Sequence, residues 1–332
     1  MNIKNINSND IAKNSKINSR FISSNNSKLK ITCQFYKGNF YADSFNYFPI
    51  TNDNFTFKEL FSWDNKKKFE NFFTNEFNAE FIKNKENFKK LQNITLLGSS
   101  VSNNYYRNLI TFLPRIFFIQ DKNINLAIHR NSSNKFRNFL KEILDVMQIK
   151  INKFIYLDDS FYYFEDSLIP QFLTQKISIE ILNKKLSKQN KLKKRIYITR
   201  KNASYRKIVN ESDLIGILKE KKFEILDTEQ IDIKEQIKIF SNSEVVISPT
   251  GSALANIIFC NPGTKIIEIM PKYRFAYENV FSNRYYRICK LLKLNYQKIE
   301  SDPIDIKKID KSYDQFIGQQ ALNSSNYYKN LL

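Results

Sequence analysis

The sequence predicts an α/β protein of two domains, with its ligand site at the carboxyl ends of parallel strands. Three observations carry this. Short apolar runs alternate with helical patterns in two blocks, the order that builds parallel sheets. A polar, basic stretch, Leu182–Lys194, separates the blocks. The scarce backbone-shaping residues cluster: the chain has 6 glycines and 7 prolines, and Gly251, Gly263, Pro249, Pro262 and Pro271 all fall within Val245–Pro271.

The elements follow in order. The N-terminus, residues 1–30, is polar and rich in Asn and Ser, with no apolar core of a secretory signal, and reads as a flexible tail. The domain over 31–185 opens with an aromatic, charged segment. Its dense Phe pattern predicts a helix over Trp63–Gln92. Asn93–Leu97 reads as a strand running into Gly98. Asn103–Gln120 reads as an apolar helix kinked or bounded at Pro114. Ile124–His129 and Lys153–Leu157 read as strands around an amphipathic helix, Ser132–Met147, with Ser132 or Ser133 as its cap.

The second domain, 186–332, holds the second block. Arg195–Thr199, Phe223–Leu226, Glu244–Ser248 and Lys265–Met270 read as strands. Glu211–Lys221, Ile233–Asn242 and Ala253–Cys260 read as the helices between them. A helix near Asn283–Lys293, a strand at Tyr296–Glu300 and a helical tail close the chain. Two such blocks suggest paired Rossmann-like domains facing a cleft, with ligands at the strand ends.

Composition narrows the function classes. At 332 residues the chain has room for two ordinary domains, and 42% hydrophobic and 14% aromatic residues supply their cores. The formal net charge of +20 attracts phosphate-bearing partners: nucleic acid, an anionic membrane or nucleotide-linked substrates. Part of it reflects the Lys, Asn and Ile excess of an AT-rich coding bias. The basic runs Lys66–Lys68 and Lys184–Arg195 sit in no nucleic-acid module and read as solvated faces. The 3 cysteines, Cys33, Cys260 and Cys289, are far apart, which fits a reducing compartment rather than a disulfide framework. His129, the 1 histidine, excludes a His-based metal cluster and reads as a structural strand end. No D-x-D pair offers itself to a metal-bound nucleotide, and no apolar run approaches the roughly 18 residues of a membrane span.

Four local features converge on one end of the second sheet. Arg200 and Lys201 follow strand RIYIT. Arg206, Asn210 and Glu211 enter the next helix. The turn Thr250, Gly251, Ser252 follows strand EVVIS and opens onto a helix start, where free N–H groups bind anions. Glu268 ends strand KIIEI. Cations to neutralise phosphates, a turn that lets backbone approach them and a carboxylate for ribose hydroxyls form a nucleotide-diphosphate-sugar cradle. The plainer alternatives are ion pairs of Arg200 and Arg206 with Glu211 or Asp213, and Glu268 capping a loop.

The run YITRKNASYRKIVNES followed by EQIKIFSNSEVVISPTGSALANIIFCNPGTKIIEIMP resembles the core of the glycosyltransferase 61 family, formerly a domain of unknown function, whose bacterial members are labelled capsular polysaccharide biosynthesis proteins. Arg200, Arg206, Asn210, Glu211, Gln236, Phe240, Gly251, Asn256, Pro262, Gly263 and Glu268 match its pattern in order. An upstream signature, N-Y-x-H-x-x-x-E-x-L-P-R, is echoed by Asn104, Tyr105, Leu113, Pro114 and Arg115. The resemblance spans roughly 95–272. Arg107 stands where many members have His, Thr111 where they have an acid, and Thr250 where they have the His of His-Gly.

The resemblance implies a two-domain GT-B fold and metal-independent, inverting transfer from a nucleotide sugar to a glycan or lipid-linked acceptor in bacterial surface polysaccharide assembly. No cofactor is expected. The location implied is cytoplasmic, with peripheral contact at the anionic inner membrane face. Residues 31–185 would then serve the acceptor, with Asn104, Arg107, Thr111 and Arg115 at the cleft. Residues 186–332 would hold the donor through Arg200, Arg206, Asn210, Glu211, Thr250, Gly251, Ser252, Asn256 and Glu268, with Asn256 alternatively pinning the turn. Thr111 cannot act as a base at neutral pH, so Asp121, Asp158 and Asp159 are the candidate bases. Two other readings compete: a basic nucleic-acid-binding protein, and a non-catalytic relative that binds sugar nucleotides.

Overall fold

The computed structural model describes residues 4–6, 20–26, 31–44, 47–57, 60, 74–100, 104–119, 123–146, 148–187, 193–203, 207–271 and 283–301. The chain divides into two compact units; among the described residues the first runs to Ile177 and the second begins at Ser178.

The first unit is built on one mixed sheet. Its strands are β1 (Lys4–Ile6), β2 (Arg20–Asn26), β3 (Ile31–Asp43), β4 (Ile50–Thr51), β5 (Phe55–Phe57), β6 (Lys89–Gln92), β7 (Ile94–Leu96), β8 (Asn123–His129), β9 (Lys150–Leu157) and β10 (Phe161–Pro170). β7, β8 and β9 pair in parallel, as the alternating pattern requires. Beyond them the sheet departs from a Rossmann-like layout. β10 runs antiparallel to β3, and β3 to β2 and β4. β1 pairs in parallel with β5. Parts of the segment expected to be a flexible tail, Lys4–Ile6 and Arg20–Asn26, are therefore strands.

The helix expected over Trp63–Gln92 is shorter among the described residues. Helix α1 spans Asn75–Asn84, capped by Thr74, whose side chain accepts from Phe77 N at 3.1 Å. A single 3-10 turn, Lys85–Asn87, follows, and the chain continues as β6. The aromatic residues that suggested one long helix instead pack on each other from both sides of this break. Phe77 and Phe81 cluster with Phe161, and Phe88 turns back onto the same group.

The expected apolar helix around Pro114 winds in three ways: Tyr105–Arg107 as α-helix, Asn108–Phe112 as π-helix and Leu113–Phe118 as 3-10 helix. Pro114 has no N–H to continue the α-helical ladder. Leu113 N bonds Asn108 O five residues back. This re-winding aims Arg115 inward, where it is 0% exposed. Its guanidinium donates to Leu97 O after β7 and to Pro170 O at the end of β10, and lies 3.8 Å from the centre of the Phe172 ring. Helix α2 (Asn134–Val146) covers the β8–β9 crossover. At Gly98 the chain takes φ +73° and passes so close to the buried Tyr47 that a Cβ would lie 2.7 Å from its ring.

Helix α3 (Gln175–Leu186) carries the chain from the first unit into the second. The basic stretch expected as a linker thus begins inside a helix. Asn183 Nδ2 donates to Ile258 O at 2.7 Å and Cys260 O at 2.9 Å, fixing that helix to the second unit.

The second unit is one fully parallel sheet of β11 (Lys194–Ile198), β12 (Glu224–Leu226), β13 (Ser243–Pro249), β14 (Lys265–Pro271) and β15 (Asn295–Ser301), in the order β12-β11-β13-β14-β15. Its connections run through α4 (Glu211–Glu220), α5 (Ile233–Ser241), a 3-10 segment (Ser252–Phe259) and α6 (Arg284–Leu292). These elements lie within a residue or two of the sequence-based positions; the difference is that the helix expected after Gly251 is wound as 3-10. Its tightness follows from the turn, where Leu254 N bonds Gly251 O at 3.0 Å. The terminal helical tail lies outside the described residues. Among the described residues no helix is long and apolar enough to cross a membrane.

Arg115→Leu leaves the carbonyls of Leu97 and Pro170 buried without their donor. We expect about 3 to 5 kcal/mol of destabilisation, read as a fall in the denaturation midpoint at unchanged slope.

Candidate functional site

The strand order of the second sheet marks its own binding position. The chain leaves β11 for β12 on one side, then returns to the other side of β11 as β13. Ligands of open α/β sheets bind outside the carboxyl ends of the strands where the order reverses. Here those ends carry Thr199 and Arg200 after β11, and Thr250, Gly251 and Ser252 after β13.

Glu211, the first residue of α4, shapes the β11 end. Its buried Oε1 accepts from Tyr197 hydroxyl at 2.7 Å, Thr199 hydroxyl at 3.0 Å and Arg200 backbone N at 3.0 Å. Three donors on one oxygen pin the strand end to the helix start and fix where Arg200 leaves the strand. Glu211 thus holds Arg200 by its backbone rather than as an ion-pair partner at the surface. Asn210 is exposed beside it and makes no side-chain cap bond. Arg206 lies outside the described residues.

Arg200 then lies against Gly251. A Cβ on Gly251 would stand 2.0 Å from Arg200 Nη1 and 2.9 Å from Cζ. Glycine is required here by close approach, since its φ of 176° is open to any residue. Two of the residues expected to bind the donor, reached from different strands, are therefore packed together. Tyr285, from α6, donates its hydroxyl to Gly251 O at 2.5 Å and fixes the turn. Ser252 is half-buried at the first position of the 3-10 segment. Asn256, fully buried, donates to Gln236 Oε1 at 2.6 Å, and Gln236 in turn donates to Thr228 O and Ile231 O, each at 3.0 Å. Asn256 pins the turn segment to α5.

Glu268 sits mid-sheet on β14, in register with Ser248 and Lys298. It is 0% exposed. Its Oε2 accepts from Tyr296 hydroxyl at 2.7 Å, and its Oε1 has no partner. Burial raises its pKa, against the opposing pull of the Thr250 and Tyr296 hydroxyls and of Arg284 and Lys298. Burial disfavours its charged form, and this carboxyl is enclosed in the sheet rather than open to a ligand. Tyr285 and Tyr296 carry no local motif; their roles come from tertiary contact alone.

The residues expected at the acceptor all lie in the first unit. Asn104 caps the irregular helix, its Oδ1 accepting from Arg107 N at 3.0 Å. Arg107 is half-buried, with its guanidinium 6.0 Å from the Phe112 ring centre. Thr111 is buried in the π-helical turn. Arg115 is enclosed in the core as described. The three candidate bases separate. Asp121 lies outside the described residues. Asp158 is held by Lys89 Nζ at 2.6 Å and Tyr162 hydroxyl at 2.5 Å. Burial alone would raise its pKa, but these bonds, with one from Ser160, outweigh it and hold the carboxyl well below the usual range. Asp159 is paired with His129 at 2.8 Å. Among the described residues no three His, Cys, Asp or Glu side chains gather as a metal site would need.

A raised pKa on Glu268 means its stabilising contribution is full below the unfolded value near 4.5 and is lost as pH rises through the folded value. Glu268→Gln keeps the acceptor for Tyr296 without the charge. We expect its stability relative to wild type to rise between pH 5 and pH 8, measured by urea unfolding at both; a constant difference would show that Glu268 does not titrate there.

The glycosyltransferase 61 family model matches residues 57–267, which include Arg115, His129, Asp159, Arg200 and Gly251. No curated protein matches the chain.

Proposed function

The chain belongs to the glycosyltransferase 61 family, and from that premise we propose that it is an inverting transferase that moves a sugar from a nucleotide donor to a glycan or lipid-linked acceptor. The observation that carries the reading is the Arg200 guanidinium packed on Gly251 at the switch point of the parallel sheet. A diphosphate leaving group needs fixed positive charge and backbone donors where its own charge develops. Arg200 supplies the charge and the Gly251–Ser252 backbone supplies the donors. Glu211 holds the Arg200 backbone and Tyr285 holds the Gly251 carbonyl. Arg206 and Asn210 fit the same end of the sheet by sequence position.

The donor is then bound by the second unit and the acceptor by the first, in the manner of GT-B enzymes. We propose a metal-independent reaction, since a guanidinium and backbone N–H groups can neutralise the diphosphate that a cation otherwise would. The product class that best fits the family is a surface or capsular polysaccharide of a bacterium. The formal charge of +20 suits peripheral work at an anionic cytoplasmic membrane face, where a lipid-pyrophosphate acceptor resides.

Thermal-shift and calorimetric titration against UDP, GDP, CMP and their common sugars tests the reading. Saturable binding of one nucleotide diphosphate is expected for wild type. Arg200→Ala should weaken it about 10- to 100-fold, the loss of a charge-assisted contact. Gly251→Ala should weaken it similarly while the melting temperature stays within a few degrees, because the guanidinium moves rather than the backbone. Salt-sensitive binding of DNA or RNA with no nucleotide binding would instead make the charge the function. Donor binding without turnover would identify a non-catalytic relative.

A further inference from the structure

We propose that Asp159 is the base that deprotonates the acceptor hydroxyl and that His129 is its positioning residue; the inference rests on the transferase reading above. His129 ends β8, its side chain wholly buried. Its Nδ1 accepts from the backbone N–H of Asn131 at 3.1 Å. A nitrogen facing a donor carries no proton, so the neutral ring holds its proton on Nε2. Nε2 lies 2.8 Å from Asp159 Oδ1 and therefore donates to it. The backbone N of His129 is anchored in turn on Ser99 Oγ at 2.8 Å. Burial favours the neutral ring over the opposing attraction of Asp159. With Nδ1 closed by Asn131, the ring can donate to the carboxylate but cannot itself take a proton from a substrate.

Asp159 has the complementary properties. Its side chain is 34% exposed. One oxygen is oriented by the buried ring, while the other is 3.6 Å from Arg130, itself 56% exposed, a loose contact that leaves lone pairs for a hydroxyl proton. Its neighbour Asp158 has both oxygens taken by Lys89 and Tyr162 and is held as a poor base. The dyad stands at the carboxyl ends of the parallel strands, His129 as the last residue of β8 and Asp159 two residues past the end of β9, where α/β sheets present reacting groups. A buried imidazole that fixes the orientation of a solvent-facing carboxylate follows the same division of labour as other oriented bases.

In the step, the acceptor oxygen bonds to the anomeric carbon as its proton passes to Asp159. The bond from that carbon to the diphosphate oxygen breaks, and its electron pair leaves with the nucleoside diphosphate. Asp159 ends as the neutral acid and returns the proton to water. His129 transfers no proton.

The test measures nucleotide release from a panel of UDP-, GDP- and CMP-sugars, with water as the hydroxyl acceptor and then with added sodium azide. Azide has no proton to lose, so attack by it needs no base. Asp159→Asn should lower water-driven release about 100- to 10,000-fold at unchanged KM, and azide should restore release as glycosyl azide. Asp159→Ala serves the same test if the Asn variant fails to fold. His129→Gln should lower kcat at unchanged KM, again with azide-driven release retained, a pattern that a merely structural role would not give. Asp158→Asn should stay within a few-fold of wild type. Undiminished release by folded Asp159→Asn, or a loss that azide does not restore while donor binding persists, would overturn the proposal. No release by wild type with either nucleophile would overturn the transferase reading, and this inference with it.

Discussion

The bond set on Glu211 Oε1 is the constraint on which the candidate site depends. One buried carboxylate oxygen holds the hydroxyls of Tyr197 and Thr199 and the backbone N–H of Arg200. It ties the end of a central strand to the start of the helix that follows. A buried carboxylate is costly unless its lone pairs are filled, and here the filling groups are the site's own backbone and strand residues. The site and the fold are thus stabilised by the same contacts. Loss of the carboxylate would release Arg200 and unsettle the strand end together.

Similar polar centres recur in both units. Arg115, on the re-wound helix, gathers two carbonyls at the ends of β7 and β10. Asn256 and Gln236 link the 3-10 segment to α5 and to the loop before it. Each is a buried polar group whose partners come from other elements of the chain. Such groups cost stability when half-satisfied and specify one packing when complete. They explain how a chain so poor in glycine and proline fixes irregular segments: side-chain donors close the backbone groups that turns would otherwise expose.

The two units also differ in what they ask of their residues. In the second, the strand order creates a crevice that cations and backbone donors can fill. In the first, β8 ends at His129, which meets Asp159 two residues past the end of β9. The antiparallel extension through β3 and β10 adds an aromatic core of stacked and edge-to-face rings, Tyr36, Phe40 and Phe164 among them.

The sequence by itself determined the second sheet. Strands buried on both faces must be short apolar runs, and helices between them must be amphipathic, so both are written locally. It also determined which residue types stand at the strand ends: Arg200 and the Thr250, Gly251, Ser252 turn. The first unit was less legible because its Phe-rich segments satisfy helical and strand periodicities alike, and because β10 carries a bulge between Phe164 and Ser167 that breaks its alternation. Only the tertiary structure decided that Gly251 is demanded by a guanidinium 51 positions earlier in the chain, that Tyr285 holds the turn, that Glu268 is enclosed in the sheet, and that His129 meets Asp159. The reason is common to all four. Each depends on two elements meeting across a sheet or crossover, and no local pattern encodes which distant side chain will complete a buried polar group.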